Sequence, residues 1–207
     1  MLWFRLVVLI LNLCAWPTEA EKEDVNRRLA QTKMLRVPYK SVGNVSIPTN
    51  VYIPATSRAN RTLAPVLIMV HGGGFMLGSA KLNNLDQIDD SLERGWIVLG
   101  VEHRLCPGVN ILEGPMTDVR DVLAWTQSGG LRDALAKANE TIRPDTERVV
   151  AMGVSAGGHL VLSLVSVSII SNFYFKTSPD IIWITPCLIF KLGFLTRNRL
   201  LACLNHH

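Results

Sequence analysis

The sequence predicts an α/β fold with a mainly parallel sheet flanked by helices, and three observations carry that expectation. Short apolar, β-branched runs alternate with longer stretches whose apolar residues recur at helical spacing. One run, Pro65–Val70, holds no polar residue, as a strand buried on both faces requires. Two runs lead directly into glycine-rich turns, His71-Gly72-Gly73-Gly74 and Gly153-Val154-Ser155-Ala156-Gly157. The 207 residues are 48% hydrophobic and 18% charged, enough apolar surface to bury a core, so the chain as a whole is not disordered.

Taken in order, Met1–Ala20 reads as an export signal. A short segment with Arg5 precedes the apolar run Leu6–Trp16, and Thr18-Glu19-Ala20 supplies small residues where a signal peptidase would cut. The run is shorter than the roughly 20 apolar residues a spanning helix needs; the alternative is a buried N-terminal helix. Glu21–Lys33 is charged and helix-compatible. Val45–Ile53 alternates and contains Pro48, which suits an outer strand. After the strand Pro65–Val70, Asn83–Arg94 places Leu85, Ile88 and Leu92 on one helical face, with Gly95 to cap it. Trp96–Val101 is the next strand. Met116–Trp125 and Leu131–Ala138 follow as helices, Arg148–Gly153 as a strand, and Gly158–Val165 opens a further helix.

The net charge of +4 is uneven. Lys176, Lys191, Arg197 and Arg199 face only Asp180 in the tail 176–207, while the stretch 21–175 is nearly balanced. No basic stripe exists, so a nucleic-acid partner is not expected. Export would bring three acceptor sequons into use, at Asn44, Asn60 and Asn139. It would also remove Cys14 and leave Cys106, Cys187 and Cys203, an odd number whose pairing the sequence leaves open. Residues 149–175 contain no Lys, Arg, Asp or Glu. A hydropathy scan could take that stretch for a membrane helix, but the glycine pairs within it argue against one, and no membrane partner is expected after signal removal.

Two motifs carry chemistry. Gly153-Val154-Ser155-Ala156-Gly157 matches the G-x-S-x-G nucleophile elbow, in which a sharp strand-to-helix turn lifts a serine hydroxyl above the sheet. Glycines at Gly153 and Gly157 suit the close packing such a turn demands. The helix that follows points its N-terminus, and so partial positive charge, at the site. His71-Gly72-Gly73-Gly74 exposes backbone N–H groups at the end of a buried strand, where they can hold a tetrahedral oxyanion. A flexible glycine turn is the plain alternative; a phosphate cradle would call for a G-x-x-x-x-G-K-[ST] sequence, which is missing. His71 is read as a structural residue beside the turn rather than a catalytic base.

Together these motifs resemble the α/β-hydrolase superfamily, and within it the hormone-sensitive-lipase-like and feruloyl-esterase-like carboxylesterases of fungal type. The resemblance covers about Val45 to Val165. It implies Ser155 as nucleophile, N–H groups of Gly73, Gly74 and Ala156 as the oxyanion hole, and acyl transfer on a small-molecule ester with no metal or other cofactor. Two departures are visible: Val154 stands where that branch has aspartate, and His103-Arg104-Leu105-Cys106-Pro107 begins with histidine where the branch has tyrosine. The family's chain order is Ser, then Asp or Glu, then His. After Ser155 the only acid is Asp180, and the only histidines are His159, His206 and His207. His159 lies one helical turn past the elbow. The expectation is therefore a signal peptide at 1–20, a partial α/β-hydrolase domain at 21–175 lacking its last strands, and an atypical tail at 176–207. Such a chain would be weakly active or inactive. A serine peptidase on the same fold and a non-catalytic binding module remain the rival readings.

Overall fold

The computed structural model describes residues 19–55 and 63–170. Helix α1 (Glu19–Gln31) leads into strands β1 (Met34–Val42) and β2 (Val45–Tyr52). Strand β3 (Ala64–Val70), helix α2 (Leu85–Glu93) and strand β4 (Ile97–Val101) follow, then helices α3 (Thr117–Gln127) and α4 (Gly130–Lys137). Strand β5 (Pro144–Gly153) and helix α5 (Ala156–Ile170) close the described chain. The strands form one mixed sheet in the order β1-β2-β4-β3-β5. β4, β3 and β5 pair in parallel; β2 runs antiparallel to both its neighbours, so it alone is reversed.

Side-chain alternation decides the layering. Every residue of β3 is buried. Val66, Ile68 and Val70 face one core together with Val119 and Val122 of α3, Leu131 and Leu135 of α4 and Leu160 of α5. Leu67 and Met69 face the opposite core with Ile88 and Leu92 of α2 and Leu29 of α1. Helices thus cover both faces of the sheet. Fully burying an aliphatic side chain contributes about 1.5–3 kcal/mol, so the all-apolar β3 is the spine of the fold.

The expected elements are found to within a few residues, with three corrections. Val45–Ile53 is not an outer strand: β2 lies between β1 and β4. The strand outside it, β1, has no counterpart in the expectations, because Arg36, Pro38 and Lys40 break up its apolar pattern and most of it stays accessible. Leu85 does not join Ile88 and Leu92 in the core; it is 40% exposed in the first turn of α2, just after Asn84 caps that turn by accepting from the N–H groups of Asp86 and Gln87. No helix among the described residues is long and apolar enough to cross a membrane.

Candidate active site

The parallel pairing of β3 with β5 brings the two motifs together. Val70 is in register with Gly153, so His71–Gly74 and the elbow leave the sheet side by side at its carboxyl edge. That edge is where ligands meet open α/β sheets. The elbow is tight: Ser155 has φ +56°, a left-handed conformation unusual for a residue with a side chain. Val154 O accepts from Gly157 N at 2.9 Å, and α5 starts at Ala156. The Ser155 side chain is exposed and makes no hydrogen bond among the described residues.

Absence of side chains sets the geometry. A Cβ on Gly72 would lie 2.7 Å from Val154 O and 3.3 Å from the Ser155 Cβ, so the first turn presses directly on the elbow. A Cβ on Gly157 would lie 2.2 Å from Val70 O and 2.5 Å from His71 O, and one on Gly153 would lie 2.4 Å from Gly157 O. Gly73 (φ +120°) and Gly74 (φ +62°) turn the chain through conformations that favour glycine, and Phe75 follows at φ +64°. Gly73 O accepts from both Met76 N and Leu77 N at 3.1 Å, which ties the turn. Among the described residues, the N–H groups of Gly73, Gly74 and Ala156 donate to no acceptor. Ala156 is buried at the first position of α5, where helical N–H groups lack an intrahelical partner.

Buried side chains support the turn from behind. His71, 2% exposed, stacks on His103, 7% exposed, with ring centroids 4.2 Å apart. Cys106, buried and disulfide-bonded, donates its N–H to Phe75 O at 2.9 Å. Beneath the loop lies Asp118, fully buried at the start of α3, which accepts from Arg104 Nη2 at 2.9 Å and from Lys40 Nζ of β1 at 2.8 Å. Burial alone would push the Asp118 carboxyl up; hydrogen bonds from Arg104 and Lys40 outweigh it and hold the group below the usual carboxylate range. His159 is exposed and meets Phe75 edge-on, with centroids 5.8 Å apart.

The structure therefore gathers Ser155, Ala156, His71 and Gly72–Gly74, with Gly153 and Gly157 as the packing contacts. It places Asn44 in the exposed β1–β2 turn and Asn139, also exposed, just after α4. Asn60, Cys187, Cys203, Asp180, His206, His207 and the tail 176–207 lie outside the described residues. The sequence marks His103 only as a departure from tyrosine, and neither motif singles out Asp118. The signal available for Asp118 was its position on the inner face of Met116–Trp125, one residue before Val119.

A strand order of β1-β2-β4-β3-β5, a serine on a left-handed strand-to-helix turn and a glycine turn packed against it define an α/β-hydrolase. Residues 49–173 match the BD-FAE family model, and the chain belongs to that family of α/β-hydrolase, hormone-sensitive-lipase-like esterases. A propionate-bound thermophilic esterase of Thermogutta terrifontis superposes with a TM-score of 0.50 at 25% identity, covering 62% of this chain and 43% of that one. Among curated proteins, a non-reducing polyketide synthase of Aspergillus calidoustus is 37% identical over 153 residues, 73% of this chain and 6% of the synthase. Methylphloroacetophenone synthase of Cladonia uncialis is 35% identical over 160 residues, again 73% of this chain and 6% of the relative. The chain thus spans a small fraction of the curated relatives' length and under half of the esterase's.

These relatives correct one expectation. A secreted, extracellular protein was expected from residues 1–20, and the match to fungal polyketide synthases contradicts that expectation. Glu19 and Ala20, read above as the end of the signal, are the first two residues of α1, while residues 1–18 lie outside the described ones. The sequons at Asn44, Asn60 and Asn139 were expected to act only on export.

Proposed function

We propose that this carboxylesterase-like hydrolase works by acyl transfer through Ser155. The serine Oγ attacks an ester-type carbonyl, and the N–H groups of Gly73, Gly74 and Ala156 receive the developing oxyanion; the bond to the alcohol or thiol breaks and that group leaves with the serine proton, then water hydrolyses the acyl-enzyme to the free acid and regenerates the serine. The observation that carries this reading is the close approach of the two motifs: a Cβ on Gly72 would lie 3.3 Å from the Ser155 Cβ, and Ser155 is held at φ +56°. Each oxyanion donor contributes roughly 3–4 kcal/mol of transition-state stabilisation in such sites. The polyketide synthase relatives favour acyl chains of polyketide type, carried as an ester or thioester, as the substrate class.

Turnover is expected to be weak. No described residue serves Ser155 as a general base, and that assistance is worth about 10²–10⁴-fold. The purified chain should hydrolyse p-nitrophenyl acetate at no more than the ~10³–10⁴-fold over water that remains when a triad member is removed. Ser155→Ala should lower that rate only slightly, since a catalytic unit already incomplete is insensitive to a second break. A drop of about a hundredfold on Ser155→Ala would show a working base and overturn the expectation of weak turnover. Faster cleavage of aminoacyl anilides than of the ester would replace the reading with a peptidase. Ester binding with no turnover would replace it with a binding module.

A further inference from the structure

His71 and His103 leave the carboxyl ends of the neighbouring parallel strands β3 and β4, and their rings stack at 4.2 Å with an interplanar angle of 10°. Each ring turns its Nδ1 toward a main-chain carbonyl, Gly72 O at 2.8 Å and Arg104 O at 3.1 Å. A carbonyl only accepts, so Nδ1 carries the hydrogen in both rings. In the neutral form each Nε2 is then a bare lone pair, and both Nε2 atoms are buried without a hydrogen-bond partner. Two such atoms in one stack are a place for protons, and the surroundings limit how many.

Glu102 Oε2 stands 4.0 Å from His71 Nε2, at the limit of ion-pair range. Two imidazolium rings stacked at this separation would repel in a region that water does not reach. Burial, joined by the facing His71 ring, holds His103 below the usual histidine range despite its hydrogen bond to Arg104 O. The other ionisable groups around the pair are already engaged. Arg104 and Lys40 are bound to Asp118, and Arg36 reaches Glu102 at 3.5 Å. The Tyr39 hydroxyl donates to Glu102 O at 2.7 Å.

We propose that the His71–His103 stack is a proton-sensitive latch on the Gly72–Gly74 turn, closed while the pair carries at most one proton and opened when acid adds a second. The mechanical link is short. His71 precedes Gly72, which abuts Ser155, and a Cβ on Gly78 would lie only 2.7 Å from His71 Nδ1, so the ring has no room on that side. Separating the rings therefore moves the turn. Its bearing on catalysis rests on the role proposed for Gly73 and Gly74; the latch itself does not. Tyrosine, found at the position of His103 in the esterases this sequence resembles, fills the space and takes up no proton.

The sign follows from linkage. A histidine held below its ordinary range binds fewer protons folded than unfolded, so stability rises with pH and is lost as pH falls below the unfolded value near 6.5. The test is the melting temperature of the full chain from pH 7.5 to 5.5, compared with His103→Tyr and His103→Phe. The native chain should lose about 3 °C more than either variant over that range; parallel profiles would overturn the latch. Should the variants fail to fold, imidazole C2–H resonances of the native chain decide instead. One buried ring staying neutral to pH 5.5 supports the latch, and two independent titrations near pH 6.5 with native dispersion overturn it. Neither readout uses a substrate, so failure of the hydrolase reading and failure of the latch are distinguishable.

Discussion

Two regions of this sheet use glycine for different reasons. At the carboxyl edge of β3 and β5, Gly153 and Gly157 are dictated by space: a Cβ on either would lie within 2.5 Å of a backbone atom on a neighbouring segment. At the same carboxyl end of the strands but beside the outermost strand β1, Gly43 turns the β1–β2 hairpin at φ +56°, and nothing lies within 4 Å of where its Cβ would be. The first region is specified by contacts between backbones that cannot yield, the second by one dihedral angle in open solvent. Close packing of main chain on main chain keeps Ser155 in its left-handed turn. The hairpin, by contrast, only has to reverse direction.

The two regions are joined by one buried group. Lys40 belongs to β1, Arg104 to the loop behind the glycine turn, and both converge on Asp118. Breaking a buried, hydrogen-bonded charge set by removing one partner costs about 3–5 kcal/mol, because the cations are left uncompensated. Asp118→Ala is expected to lower stability by that amount, the largest effect among these predictions, as a shift in the urea midpoint. The native chain should show the same dependence in its acid limb. A carboxylate held below its ordinary range contributes stability that is present above the unfolded value near 3.9 and is lost as pH falls through the folded one. If the hairpin wing were independent of the site, Asp118→Ala would leave the acid limb and the midpoint unchanged.

Next in size is Gly157→Ala. The added methyl would lie 2.2 Å from Val70 O and 2.5 Å from His71 O, both main-chain atoms of a fully buried strand end. Overpacking of this kind typically costs 1–3 kcal/mol, and contacts this close put the change at about 3 kcal/mol. Denaturant unfolding measures it. A loss under about 1 kcal/mol would show that the elbow can spread, and that the contrast between the two regions of the sheet is weaker than the distances indicate.

Much of this architecture is legible in the sequence because it follows from periodicity and from glycines at strand ends. Pro65–Val70 could only be a doubly buried strand, and the elbow and glycine turn announce themselves by residue type. What the sequence hid depends on tertiary partners. β1 is held by pairing with β2, in a register where Pro38 faces Pro48, and its mixed composition carries no signal of its own. Leu85 satisfies the helical spacing yet stays exposed, since spacing marks a face without saying how far the covering layer extends. His103 stands out in the sequence only as a departure from tyrosine, because a stack between two strand ends leaves no trace in a single run of residues.

The smallest effect belongs to the open hairpin. Gly43→Ala adds a methyl that meets nothing within 4 Å, so its whole cost is the left-handed backbone at φ +56°. For an L-residue that conformation is unfavourable by roughly 1–2 kcal/mol, partly offset because alanine reduces the freedom of the unfolded chain. A net loss of about 1 kcal/mol is expected, a third of the Gly157→Ala effect. Gly43→Asn should recover part of it, since asparagine tolerates the left-handed region better than alanine does. Urea midpoints of the three glycine variants, measured side by side, give the ranking. A Gly43→Ala loss equal to that of Gly157→Ala would mean that dihedral strain, not backbone collision, dominates in both regions of the sheet.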